Sequence, residues 1–416
     1  MVNGSAMTHR ARPTQAVILA GGRGTRLQPL TDHRPKPMIE FHGRPFLEYL
    51  VEQLRDQGFE RILLLLGYLP EVIQDYFGDG RRWGVTIEYS VTAPDDLTVH
   101  RVRTARDLLD PLFLLLYCDN YCPLDMEGLW QEFVSKDVAG LLTVYGNTDR
   151  SSRDNVRVDE QGYVRLFDRS RTAAALQGVE IGYALLDKAA VLDCLPAGDG
   201  LIEAEVYPRL AARGALAAHV TNHRYYSVGS IERLPATETF LARRPAVILD
   251  RDGVLNRRPP RAQYVRTWDE FAWLPGAQEA LRLLNDAGYR VVVVSNQAGI
   301  ARGAMTEANL QAVNERMVAE ATAAGGRIDA VYYCAHGWDD GCACRKPRPG
   351  MLFQAQRDFH LDLSRTLFIG DDERDALAAD AAGCPSALVT DDATLLDLVR
   401  EMVGEVAGEM AGSVRR

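Results

Sequence analysis

A chain of 416 residues has room for two or three domains at roughly 100–200 residues each. Its 47% hydrophobic and 25% charged content is that of a globular protein with real cores. A formal net charge of −10 argues against general affinity for nucleic acid or anionic membranes, and no apolar run is long enough to span a bilayer.

The opening stretch MVNGSAMTHRARPTQ has no apolar segment of the kind that marks a secretory signal. It reads as a disordered leader over residues 1–15, within which Met7 could be the true start. Seven cysteines, an odd number, fit a reducing compartment better than a disulfide scaffold. The expectation is a cytoplasmic protein.

After the leader, apolar runs predict strands at 16–20, 61–67, 85–90, 112–118 and 139–145. An amphipathic helix is expected over 46–58, closed by Gly58. A second series of strands is expected at 246–250, 290–296, 330–334, 366–371 and 386–390. Runs such as the VVVV of 291–294 point to strands buried on both faces. Strands alternating with helices predict α/β domains, one over 16–242 and one over 245–405, with a tail at 406–416.

The first domain opens with LAGGRGTRLQPLTDHRPKPM, residues 19–38. Gly21, Gly22 and Gly24 after a strand let the backbone approach a triphosphate, and Arg26 and Lys36 can neutralise it. From about Ala16 to Leu241 the chain resembles the sugar-phosphate nucleotidyltransferases, which join a nucleoside triphosphate to a sugar 1-phosphate and release pyrophosphate. The resemblance implies a nucleotide contact at Ala20, Gly21, Gly22, Gly24 and Thr25, and activation of the triphosphate by Arg26 and Lys36. It also implies magnesium at Asp119, sugar recognition by Glu180, and the homo-oligomeric assembly that such enzymes often show.

Four positions depart from that pattern. LTVHRVRTA (97–105) stands where the family usually has LGTAGAL, a segment tied to nucleobase and sugar contacts. Cys118 replaces the glycine before the metal aspartate, Ser227 the late metal aspartate, and Arg169 a lysine.

In the second domain, Asp250 and Asp252 follow a strand in AVILDRDGV. Two aspartates so spaced are more often a turn or a solvated pair than a catalytic site. Ser295 in VVVVSNQAGIARG, Lys346 in CRKP and Asp371, Asp372 and Asp375 in GDDERD change that balance, because each falls at or after a later strand's end. A carboxylate nucleophile, a hydroxyl and lysine for phosphate oxygens, and carboxylates for magnesium make a phosphoryl-transfer set.

In these four motifs the segment resembles the haloacid-dehalogenase (HAD) superfamily of phosphatases. The resemblance implies that Asp250 is phosphorylated and that Asp252 protonates the leaving alcohol and then activates water. Ser295 and Lys346 would hold the phosphoryl group, with Asn296 beside them. Magnesium would lie on Asp250, Asp371 and the backbone carbonyl of Asp252, with Asp372 a neighbour. The expected architecture is therefore two consecutive Rossmann-like three-layer α/β domains, a nucleotidyltransferase-type mixed sheet followed by a capless HAD-type parallel sheet.

Cys334, His336, Cys342 and Cys344 crowd into eleven residues just before Arg345 and Lys346. Three soft thiolates and an imidazole suit a closed, structural zinc site better than a catalytic one, and such exposed thiols without metal invite oxidation. With this loop, DRDGVLN, SNQAGIARG, CRKPRPGML and GDDERDALAADAAG resemble the D-glycero-D-manno-heptose 1,7-bisphosphate 7-phosphatases. The histidinol-phosphate phosphatases share much of the pattern. Arg345 is the expected hand for the substrate's distal phosphate, with Arg302 a second candidate.

Loss of a 7-phosphate leaves a sugar 1-phosphate, which is what a nucleotidyltransferase consumes. The expectation is a bifunctional enzyme acting on a phosphorylated sugar and a nucleoside triphosphate, with GTP inferred from the pathway. The alternative is a phosphatase carrying a degenerate transferase domain as a binding or oligomerisation module.

Overall fold

The computed structural model describes residues 11–413 except 124 and 243, with side chains described through residue 404. The chain divides into two compact units at Leu241/Ala242. Of the expected leader, residues 1–10 lie outside the described residues. The remainder is built into the fold: the Thr14 carbonyl accepts from the Glu60 and Arg61 N–H groups at 2.9 and 3.1 Å, and Gln15 opens the first strand fully buried. The tail expected from 406 is instead helical through Ser413, since no proline interrupts the segment; residues 414–416 lie outside the described residues.

The first unit is built on strands β1 (Gln15–Ala20), β2 (Arg61–Leu66), β3 (Thr86–Val91), β4 (Leu112–Tyr117), β5 (Gly140–Tyr145), β6 (Val179–Asp187) and β7 (Leu216–Thr221). They form one sheet in the order β7-β5-β6-β4-β1-β2-β3. Only β6 runs antiparallel to its neighbours β4 and β5, which makes the sheet mixed. β1 shows why its apolar run is unbroken: Ala16, Ile18 and Ala20 enter one core, while Val17 and Leu19 enter the other. The helix expected at 46–58 is α1 (Phe46–Asp56), followed by Gly58 at φ 83°.

β6 and β7 were not among the expected strands. VEIGYALLD was read for its glutamate, and LAAHVT has too little β-branched character to stand out. A short helix, α2 (Thr98–Thr104), follows the loop after β3.

The second unit is an all-parallel sheet of β8 (Ala246–Asp250), β9 (Arg290–Asn296), β10 (Ala330–Cys334), β11 (Leu367–Gly370) and β12 (Ser386–Leu388), in the order β10-β9-β8-β11-β12. Val291 and Val293 pack into one core and Val292 and Val294 into the other, as a doubly covered strand requires. Helices α3 (Ala277–Asp286), α4 (Glu307–Ala323), α5 (Gly350–Phe359), α6 (Glu373–Ala382) and α7 (Leu395–Ser413) accompany the sheet. The strand order reverses at β8. A crevice therefore opens beyond its C-terminal end, between the loops that leave β8, β9 and β11.

Candidate active site

Asp250 is the last residue of β8, and the chain turns sharply after it. Gly253 has φ 101°, a conformation that disfavours a side chain, and a Cβ there would overlap the Asp371 carboxylate. Glycine thus lets the loop after β8 approach the loop after β11.

Asp252 is held by three groups. Arg251 places Nη2 2.9 Å from its Oδ2, Gln297 donates from Nε2 at 2.7 Å, and Asn256 donates to Oδ1 at 2.9 Å. Arg251 is itself 1% exposed and anchored on Asn314 of α4 at 3.0 Å. Burial works against the Asp252 charge, but Arg251 and these hydrogen bonds hold its carboxyl below the ordinary value.

Ser295, near the end of β9, lies 3.4 Å from Asp252 Oδ2 and accepts a hydrogen bond from Gln297 at 2.8 Å. Lys346 reaches the same place from the loop before α5. Asn296 fixes its backbone: Nδ2 donates to the Lys346 carbonyl and Oδ1 accepts from its N–H, both at 3.0 Å. The Lys346 Nζ sits 2.9 Å from Asp250 Oδ1 and 2.7 Å from Asp375 Oδ1. Burial opposes the ammonium charge, yet the two carboxylates raise its pKa. Burial pushes Asp250 up to about 7 against the pull of Lys346.

Carboxylate oxygens of Asp250, Asp371 and Asp375 lie within 4.8 Å of one another, a spacing and donor type that suit a hard cation such as magnesium. Both Asp375 oxygens are already engaged, Oδ1 by Lys346 and Oδ2 by the N–H groups of Asp371 and Asp372 at 3.1 and 3.2 Å. Asp250 and Asp371 are therefore the better placed of the three to hold an ion. The Asp252 side chain turns to Arg251 and stands outside this group, which leaves only its backbone carbonyl for the role the sequence suggested. Asp372 caps α6 and pairs with Arg258 at 2.7 Å and Arg374 at 2.8 Å.

An open cavity of about 900 Å³ spreads in front of these groups. Arg258, Arg261, Arg345, Arg348 and Arg374 contribute to its lining, as do Tyr264 and Trp338. Arg345 lies in the cavity wall. Arg302 does not line the cavity; its guanidinium lies 4.6 Å from the centre of the Trp338 ring.

The cysteine cluster closes on itself. Cys344 Sγ lies 3.3 Å from Cys334 Sγ and 3.3 Å from His336 Nδ1; Cys334 lies 3.5 Å from His336; Cys342 is 3.6 Å from both other sulfurs. Zinc with Zn–S of about 2.3 Å and Zn–N of about 2.0–2.1 Å implies tetrahedral edges of about 3.5–3.8 Å, so the four residues fit that ion.

In the first unit, Lys36 Nζ lies 2.6 Å from Asp119 Oδ2, joining the glycine-rich loop region to the end of β4. Gly21, Gly22, Gly24, Lys36 and Asp119 line one recess of about 390 Å³; Gly24, Thr25, Arg26, Lys36 and Gly229 line another of about 200 Å³. Ala20 is sealed within β1 and lines neither. Glu180 Oε1 accepts from the Gly182 N–H at 2.6 Å, and burial pushes its carboxyl up to about 8. Among the described residues, no trio of metal-ligating side chains gathers at Asp119. Ser227 turns its hydroxyl to the Gly229 N–H at 3.0 Å, and Arg169 lies 3.4 Å from Glu203.

The sequence assigns no role to Arg251, Asn256, Gln297 and Arg101, and it groups Asp375 with Asp371 and Asp372 in GDDERD without a role of its own. The D-D-x-x-D spacing at the start of α6 was the one signal for Asp375. The others act through partners that no local pattern reveals.

A family model described as nucleotidyl transferase matches residues 15–168, and one described as HAD-hydrolase-like matches residues 343–407. The D-glycero-beta-D-manno-heptose-1,7-bisphosphate 7-phosphatase of Bordetella bronchiseptica is 43% identical over 143 residues, 34% of this chain and 79% of that protein. The D,D-heptose 1,7-bisphosphate phosphatase of B. bronchiseptica complexed with magnesium and phosphate superposes with a TM-score of 0.37 at 35% identity, over 39% of this chain and 99% of that one. HddC of Yersinia pseudotuberculosis complexed with GMP-PN superposes with a TM-score of 0.46 at 26% identity, over 54% of this chain and 99% of that one.

Proposed function

The chain belongs, through its second unit, to the family of D-glycero-beta-D-manno-heptose-1,7-bisphosphate 7-phosphatases, and from that premise we propose that it hydrolyses the 7-phosphate of a heptose 1,7-bisphosphate. The observation that carries the reading is the convergence of Asp250, Asp252, Ser295 and Lys346, from three separate loops, on one crevice at the reversal of strand order.

An Asp250 oxygen attacks phosphorus, and the bond to the sugar oxygen breaks as Asp252 gives that oxygen a proton. An aspartyl-phosphate and the free alcohol result. Asp252, now a carboxylate, takes a proton from water as the water oxygen attacks phosphorus, and phosphate leaves with Asp250 restored. Before substrate binds, Asp252 is held charged by Arg251; the arriving phosphate dianion raises its proton affinity and readies it to be the acid. Lys346 and Ser295 hold the phosphoryl oxygens. Asp250 and Asp371, with the Asp252 carbonyl, would hold magnesium, which supplies positive charge to the phosphoryl oxygens. The cavity wall around Arg345 would take the phosphate that is not cleaved.

For the first unit, the sequence raised two readings: nucleotidyl (GMP) transfer onto the sugar 1-phosphate product, or a transferase fold kept as a binding module. Lys36 and Asp119 meeting beside the glycine loop support the first. Ser227, a hydroxyl turned to a backbone N–H where a second carboxylate would be needed, favours the second. Histidinol phosphate, the substrate class of the related phosphatases, gives no reason for a transferase unit on the same chain.

The test uses the purified chain, magnesium and heptose 1,7-bisphosphate, with phosphate followed in time and then GTP added with pyrophosphate followed. Phosphate release that histidinol phosphate does not match supports the phosphatase reading. Faster release from histidinol phosphate would sink it, and pyrophosphate release would restore the bifunctional reading.

A further inference from the structure

Arg101, on α2, is 3% exposed and lies beneath the glycine-rich loop. Its guanidinium donates to the carbonyls of Leu66 at 2.6 Å, Gly21 at 3.2 Å, Ala93 at 3.0 Å and Pro94 at 3.3 Å, and to Thr92 Oγ1 at 2.5 Å. All five acceptors are neutral oxygens, and none of the ion pairs among the described residues involves Arg101. The group presses flat on bare backbone: a Cβ at Gly21 would overlap its Cζ, and one at Gly67 would fall 2.5 Å from Nη1. It forms part of the wall of the 390 Å³ recess that Gly21, Gly22, Lys36 and Asp119 also line.

Burying a cation against this cradle of five neutral oxygens is costly: burial pulls the Arg101 pKa down even with Asp96 and Asp199 near enough to oppose the shift. The cradle has a shape. It accepts a planar, amidine-like array of N–H donors laid between two glycines. A guanidinium is one such array, and the N1–H and 2-amino edge of guanine is another.

We propose that Arg101 occupies, from within the chain, a seat suited to a guanine-type base, and that the first unit is closed to guanine nucleotides while Arg101 is seated. This rests on the reading of the first unit as a binding module and names what disables it. Lys36 and Arg23 line the same recess, Lys36 paired with Asp119 at 2.6 Å and Arg23 with Asp95 at 2.8 Å.

The experiment is titration calorimetry of the full chain with GTP, with tripolyphosphate as the control for binding through phosphates alone. Arg101→Gly is compared with the wild type, and pyrophosphate release is measured separately. The expected result is no base-dependent binding by the wild type and a gain of at least about tenfold in GTP affinity for R101G, with millimolar guanidinium chloride competing. A folded R101G that binds GTP no better than tripolyphosphate overturns the proposal, as does wild-type GTP binding that R101G leaves unchanged.

Should R101G not fold, Arg101→Gln keeps the stem and a planar amide with fewer donors, and a smaller gain is expected of it. No gain in R101Q overturns the proposal equally. Binding by the wild type without pyrophosphate defeats the plug but leaves the module reading intact. Pyrophosphate from the wild type defeats both.

Discussion

Lys346 Nζ stands 2.9 Å from Asp250 Oδ1 and 2.7 Å from Asp375 Oδ1, with its side chain 2% exposed. One buried ammonium thus ties the proposed nucleophile to the first turn of α6. Replacing it with methionine would leave two buried carboxylates without their shared cation. Without magnesium, Lys346→Met should lose about 3–5 kcal/mol of stability, read by urea denaturation, and phosphate release should fall with it. A variant as stable as the parent would show that the pair is solvated or otherwise compensated.

Asp250→Asn should abolish phosphate release, by on the order of 10³-fold or more, because an amide oxygen is too poor a nucleophile to form the acyl phosphate. Asp252→Asn keeps the hydrogen bonds of Asn256 and Gln297 partly satisfied but cannot move a proton. A loss of about 10²–10⁴-fold with little change in KM is expected from steady-state kinetics on heptose 1,7-bisphosphate.

The four-residue cluster at 334–344 should hold about one zinc per chain by elemental analysis, since each structural site of this type binds a single ion. Because the cluster leads directly into Lys346, chelation should lower both Tm and phosphatase rate, and zinc should restore them. Cys344→Ser should mimic the chelated protein. Full activity and an unchanged Tm after exhaustive chelation would remove zinc from the account.

The Lys36–Asp119 pair makes a prediction in pH. Burial opposes both charges, yet Lys36 holds Asp119 below its ordinary 3.8, and Asp119 holds Lys36 above its ordinary 10.5. A lowered carboxyl stabilises the fold above 3.8 and loses that contribution as pH falls through its folded value; a raised ammonium stabilises below 10.5 and loses it as pH rises through its folded value. Between these limits the pair contributes in full. Asp119→Asn should therefore cost more stability at pH 7 than at pH 3, measured by denaturant titration at each pH.

Ser227→Asp supplies the carboxylate that the transferase pattern lacks. With Arg101 still seated, this change alone should yield no pyrophosphate from GTP and a sugar 1-phosphate. Combined with Arg101→Gly, it should yield some. Turnover by the single variant would locate the loss at Ser227 alone.

Much of the molecule was legible in the linear chain, for a definite reason. Apolar runs such as VVVV report burial on both faces directly, so the parallel strands that carry Asp250 and Ser295 and lead into Asp371 stood out. The zinc ligands fall within eleven residues, so chain connectivity already limits their separation. Strand β6 was missed because its antiparallel insertion between β4 and β5 depends on pairing with residues far away, and no local pattern encodes that direction.

Side-chain partnerships are where folding decided. Asp375 took up Lys346 because α6 follows β11, the strand paired with β8, and Gln297 reached Asp252 because β9 pairs with β8 in one register. Arg101 looked like one basic residue in a departing motif, yet it folds back to the Gly21 carbonyl 80 positions away. Composition and spacing determined which chemistry the chain carries in its second unit. Sheet register and the close approach that two glycines allow decided which groups meet, because a difference of one residue in register would turn the strand residues Asp250 and Ser295 to the other face.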